Sequence, residues 1–148
     1  MKKILSLIIC LVVVISLTGC NKGNKNNPIN ELKDEKENVK LVFENEIEKD
    51  VKLETKISDN YIKLSDEINK YVLYNISLVK YNGNEKEKVS PGNVTVSVKI
   101  PSDFNKDKLV VYYVSNYVIM ENYEVEVDGE YAKFKTNHFS GYALAELK

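Results

Sequence analysis

The sequence predicts an all-β chain folded as a two-sheet sandwich, and three observations carry that expectation. Apolar and polar residues alternate at a period of two along much of residues 39–148, the pattern of strands with one buried face. Turn-forming residues interrupt the alternation at intervals of roughly 8–12 residues, the rhythm of a sandwich. The stretch holds 110 residues, counting 39 through 148, which is one domain with one core.

The elements follow in order. Val39, Leu41 and Phe43 put apolar groups on one face, and Val51, Leu53 and Ile57 do so again with Thr55 in register. Ser65-Asp66-Glu67 breaks the rhythm, and a serine cap with an acidic first turn predicts a short helix over 65–70. Val72, Tyr74, Ile76 and Leu78 form a strand whose second face is mixed. Val94, Val96, Val98 and Ile100 alternate with Thr95, Ser97 and Lys99, a half-buried strand. Leu109 to Val114 is nearly continuous in apolar residues and reads as a central strand. Asp128-Gly129 joins Tyr123–Val127 to Tyr131–Lys135 as a tight hairpin. Asn82-Gly83, Ser90-Pro91-Gly92-Asn93 and Pro101-Ser102-Asp103 mark further turns.

The N-terminus has a different character. Lys2 and Lys3 precede an apolar run from Ile4 to Leu17. About fourteen residues make a helix of roughly 21 Å, short of the ~30 Å hydrocarbon core, so residues 1–19 read as a cleaved export signal. Its ending, Leu17-Thr18-Gly19-Cys20, resembles the bacterial lipobox. The resemblance implies that the Cys20 thiol receives diacylglycerol and that a peptidase cuts before it. The chain would then sit on the extracellular face of the cell membrane, with membrane lipid as its first partner. Cys10 lies within the discarded segment, which leaves no thiol for a disulfide. Two or more acyl chains make such anchoring stable, where one binds only marginally.

Residues 20–38 are expected to be the lipidated cysteine and a disordered tether. Between 21 and 38 the only large apolar residues are Ile29 and Leu32, too few to offset the entropy of ordering. As a flexible coil its ends would lie roughly 20–25 Å apart. Removing residues 1–19 takes two of 21 lysines and leaves 19 against 22 acidic residues, a net charge of −3. There is no arginine and no basic stripe, which excludes nucleic acid as a partner. Seventeen asparagines and abundant Lys and Ile point to an AT-rich genome and a Gram-positive source.

Tyr71 to Leu147, roughly half of the chain, resembles a module of Gram-positive surface and wall-associated proteins. The matching residues are Asn75-Ile76-Ser77-Leu78, Asn82-Gly83-Asn84, Val89-Ser90-Pro91-Gly92, Val94 to Pro101, Leu109 to Tyr113 and Phe134 to Ala143, of which Thr136 to Ala143 is the most specific piece. The resemblance implies an immunoglobulin-like β-sandwich that serves as a spacer or adhesive unit, with a cell-wall polymer or another surface protein as partner. The chain departs from it at Asn137 and Gly141, where an Asp and a second aromatic are expected.

Candidate chemistry is sparse. His138 is the only histidine and no free cysteine remains, so neither a metal nor a cofactor is expected, since a zinc site needs three or four convergent ligands. Ser102-Asp103 to Asp107 lacks the alternating ligands and glycine of a calcium loop. His138-Phe139-Ser140 resembles the self-cleaving tripeptide of some eukaryotic β-rich modules. There His138 would be the base and Ser140 the nucleophile, with cleavage between Phe139 and Ser140, a reaction that requires backbone strain. The preferred reading is structural, with Phe139 in the core and the polar neighbours bonded locally. Tyr112, Tyr113, Tyr117 and Tyr123 raise a glycan platform as a further alternative, in a small-ligand or glycan-binding lipoprotein, although tyrosine also favours strands for its packing. The expected function is a non-catalytic structural, adhesive or wall-contact module.

Overall fold

Two antiparallel sheets account for nearly all of the regular secondary structure among the described residues. A computed structural model describes residues 29–58 and 62–148; the export segment and Cys20 lie outside the described residues. One sheet orders β1 (Ile29–Asp34), β2 (Val39–Ile47), β6 (Val94–Lys99), β10 (Tyr131–Thr136) and β9 (Glu126–Asp128). The other orders β3 (Lys52–Ser58), β4 (Ile68–Asn82), β11 (Gly141–Leu147), β7 (Leu109–Ser115) and β8 (Val118–Tyr123), and β5 (Glu85–Lys88) pairs with the end of β4. The chain is all-β, as the alternation predicts, and the pair of sheets makes a sandwich.

The core follows from the alternation. Val39, Leu41 and Phe43 of β2, Val94, Val96 and Val98 of β6, and Phe134 of β10 face inward. Tyr74, Ile76 and Leu78 of β4, Val111 of β7, and Tyr142 and Leu144 of β11 meet them from the second sheet. A second apolar cluster lies on the outer face of that sheet, where Leu73, Val114, Ala143 and Ala145 are covered by Leu64 and Tyr71. The Tyr71 hydroxyl donates to the Ile62 carbonyl, which holds the covering segment down.

Turn chemistry fixes the hairpins. Gly83 and Gly129 each open a two-residue loop with φ near +60°, the left-handed position of a type II′ turn. The second hairpin therefore turns on Gly129-Glu130, one residue later than the Asp128-Gly129 pair suggests. Asn116 and Tyr117 join β7 to β8 with φ of 49° and 63°, the two positive angles of a type I′ turn.

Three expectations are corrected. The disordered tether of residues 20–38 overreaches, because Ile29–Asp34 is β1 and Glu35–Asn38 turns it into β2. An edge strand needs little apolar surface: Leu32 packs on the core, and ladder bonds to β2 satisfy the backbone. Glu31 pairs with Lys40 at 2.8 Å across the strands. The domain thus starts at or before Ile29, not at Val39.

The helix over 65–70 is absent. Ser65 does accept from the Glu67 amide at 3.3 Å, yet the chain makes only a turn at Asp66-Glu67 and enters β4 at Ile68. Six residues cannot meet the cost of helix nucleation, whereas Ile68 and Tyr71 gain burial in the sheet. The expected strand Tyr123–Val127 is divided, because Tyr123 ends β8 in one sheet and Glu126 starts β9 in the other.

Candidate functional site

The crossover from β10 to β11 carries the His138 motif, and its geometry starts from a glycine. A Cβ built on Gly141 would lie 3.0 Å from the Val114 carbonyl oxygen and 3.4 Å from Asn75 Oδ1. A side chain at this position would crowd β11 between β4 and β7 and require the Val114 backbone to give by a few tenths of an ångström. The next residue, Tyr142, is 1% exposed and points into the sandwich. Its hydroxyl donates to the His138 carbonyl four residues upstream and lies 3.0 Å from Thr136 Oγ1. This is the arrangement of a tyrosine corner, which pins a chain where it changes sheets. Burial pushes the Tyr142 hydroxyl well above the usual phenol range, with the bond to Thr136 acting in the opposite sense.

His138 is held by tyrosines. Its Nδ1 is 3.2 Å from the Tyr142 hydroxyl and its Nε2 is 3.2 Å from the Tyr123 hydroxyl. The Tyr113 ring packs against the imidazole at a centroid distance of 4.7 Å. Tyr123 also donates to Glu121 at 2.9 Å, and desolvation raises its hydroxyl above the ordinary tyrosine value. Both ring nitrogens therefore meet phenol oxygens. Ser140 contributes its carbonyl to the Ile76 amide at 3.0 Å, and no described hydrogen bond joins its hydroxyl to the imidazole. Phe139 is half-buried against the main core.

The four grouped tyrosines do not form one face. Tyr113 and Tyr123 pack on the inner core, Tyr112 belongs to the outer cluster, and Tyr117 stands in the turn. Beside the crossover lies an open cleft of ≈ 970 Å³ bordered by Glu54, Lys56, Asn75, Ser77, Ser90 and Phe139.

At the opposite end a carboxylate missed by sequence reasoning organises a second polar cluster. Glu146 is only 7% exposed. It accepts from Asn69 Nδ2 at 2.7 Å and from the Asn105 amide, with Lys70 Nζ at 3.8 Å. Lys70 pairs with Asp103 at 2.9 Å and lies over the Phe104 ring. Asp103 thus serves an ion pair, and Asp107 sits in a single 3₁₀ turn, Lys106–Lys108. No group of three or more potential metal ligands converges among the described residues.

The Asn105 amide, and after it Asn69, hold Glu146 below its ordinary value of 4.5. A depressed carboxylate contributes stability above its unfolded pKa, and that contribution is lost as pH falls through the folded value. Thermal melts from pH 7 to 3 should show an acid limb that Glu146→Gln flattens. An unchanged limb would move the acid sensitivity to another carboxylate.

Comparison with known protein families, characterised sequences and solved structures found no match to the chain.

Proposed function

We propose that the chain is a lipid-anchored surface protein whose sandwich acts without catalysis, as a structural, adhesive or wall-contact module. The observation that carries this reading is the register of charged start, apolar run and Leu17-Thr18-Gly19-Cys20, which resembles a lipoprotein signal in every part. Cys20 is the only cysteine after the apolar run and so the only acceptor. Cys20→Ala should shift the protein wholly from the detergent phase to the aqueous phase, or leave it as unprocessed precursor. A variant with both the partitioning and the processed, acylated mass of the wild type would defeat the anchoring.

The absence of catalysis is supported by what the His138 ring does. A general base must reach the proton it takes, and the hydroxyls beside the imidazole nitrogens are those of Tyr142 and Tyr123, not that of Ser140. Intact-mass measurement of purified protein should give one species. A free peptide of Ser140 to Lys148, lost in Ser140→Ala and His138→Ala, would instead make the motif self-cleaving.

A further inference from the structure

The hairpin of β7 and β8 is conspicuous for what it lacks. Leu109 to Met120 contains no charged residue, in a chain where 29% of residues are charged. Its tip is apolar and open to solvent: Tyr117, Val118 and Met120 are 51%, 57% and 60% exposed. Tyr117 adopts φ 63°, a conformation that glycine takes freely and an L side chain does not. No described hydrogen bond fixes the Tyr117 side chain. The ladder slips between Tyr113 and Val114, which pair with Glu121 and Ile119. Met120 is the unpaired extra residue, and a bulge of this kind re-aims a side chain away from the sheet.

The register places this tip at one end of the sandwich. Ile29 pairs with Ile47, Phe43 with Val94, and Val94 with Thr136. Four residues then lead to Gly141, which pairs with Val114 next to the Asn116-Tyr117 turn. The chain therefore enters the fold at Ile29 on the end that also presents Tyr117. Nine chain steps (29 − 20) link Cys20 to Ile29, and nine steps span at most ~30 Å. A lipid on Cys20 holds this end close to the bilayer. The β4–β5 hairpin shares the end, but Glu85, Lys86, Glu87 and Lys88 are all exposed and suit water. Its β5 strand lies on the β11 side of β4, two strand steps from β8, and a twist of about 20–25° per step inclines it away from that strand.

We propose that the Tyr117–Met120 tip is a membrane-interface contact that sets the orientation of the domain on the lipid surface. The inference rests on the anchoring of Cys20 given above. The Tyr117 ring lies at the level of the headgroups, where a ring with a polar tip is favoured. Val118 and Met120 enter the boundary of the acyl chains, and no charge on the hairpin tip has to be desolvated with them.

The chain contains no tryptophan, so a single introduced indole reports its own surroundings. Acylated full-length Tyr117→Trp is placed on vesicles of phosphatidylcholine and phosphatidylglycerol, with and without brominated acyl chains. Emission should shift to the blue and be quenched by bromine. Met120→Trp should behave alike, which covers any disturbance of the turn at 117. Val127→Trp, at the far end and 41% exposed in the wild type, should remain unquenched. Vesicle-bound protein with both tip indoles unquenched would overturn the inference while leaving the anchor intact. A blue shift that grows with protein density but ignores bromine would make the occupant a second copy and overturn it too. Intact protein with no acyl mass on Cys20, which does not float with vesicles, would defeat the anchoring and this contact together.

Discussion

Tyr142→Ala is expected to cost about 3–5 kcal/mol, as for removal of a buried aromatic ring. The ring is packed against Phe134 at 5.0 Å, Tyr123 at 6.0 Å and Tyr113 at 6.1 Å between centroids, so no neighbour can collapse into the space without breaking another contact. A domain of this size has roughly 5–15 kcal/mol in all, and the variant should populate unfolded chain at 37 °C. Tyr142→Phe isolates the hydroxyl. It leaves the ring in place and removes the bond to the His138 carbonyl, while the Thr136 hydroxyl still donates to that carbonyl at 3.2 Å, so the loss should be about 0.5–1.5 kcal/mol. Urea melts of the two variants measure both numbers. Equal stability of Tyr142→Phe and wild type would show that the corner bond is replaced by water.

Shortening the chain to begin at Val39 should cost on the order of 2–4 kcal/mol relative to a chain beginning at Ile29. The loss combines burial of Leu32, up to ~1.5–3 kcal/mol for a leucine, with the ladder along β2. Removing β1 also leaves β2, which carries the fully buried Leu41, as an open edge, which invites pairing between chains. The shorter chain should melt earlier and show concentration-dependent association in sedimentation. Both chains should give β-type circular dichroism that reductant does not alter. Coincident melts would mean that the first strand decorates the fold without supporting it.

Those two changes mark where sequence reading succeeded and where it stopped. Strands with one apolar face, such as Val94–Lys99, were legible because alternation and burial have the same period. The strand at Glu85–Lys88 was not, because all four residues are charged and exposed and the Gly83 turn and the backbone ladder hold them against β4. Ile29–Asp34 failed for a related reason, since an edge strand draws on its neighbour's backbone rather than on its own composition. Phe139 was placed in the core by residue type, but the crossover leaves it half-buried, and its truncation should be milder than that of Tyr142. The polar surroundings of His138 and Glu146 were invisible. Tyr123 is 15 positions from His138, and Asn69 is 77 positions from Glu146, and no local pattern encodes such distances.

The position of β11 governs the order in which the fold can be completed. It lies between β4 and β7 and pairs with both along its length, Gly141 with Asn75 and Val114, Leu144 with Val72 and Val111. Until residues 141–147 have left the ribosome, the second sheet is two separate fragments, each with an unpaired inner edge. Its partners on β4 are 66 or more positions away, since 141 − 75 is 66, and closing such loops makes folding slow. A chain interrupted before Gly141 cannot form a smaller version of this domain. It presents two open strands and an apolar face together, the surface that aggregates or that chaperones and proteases bind.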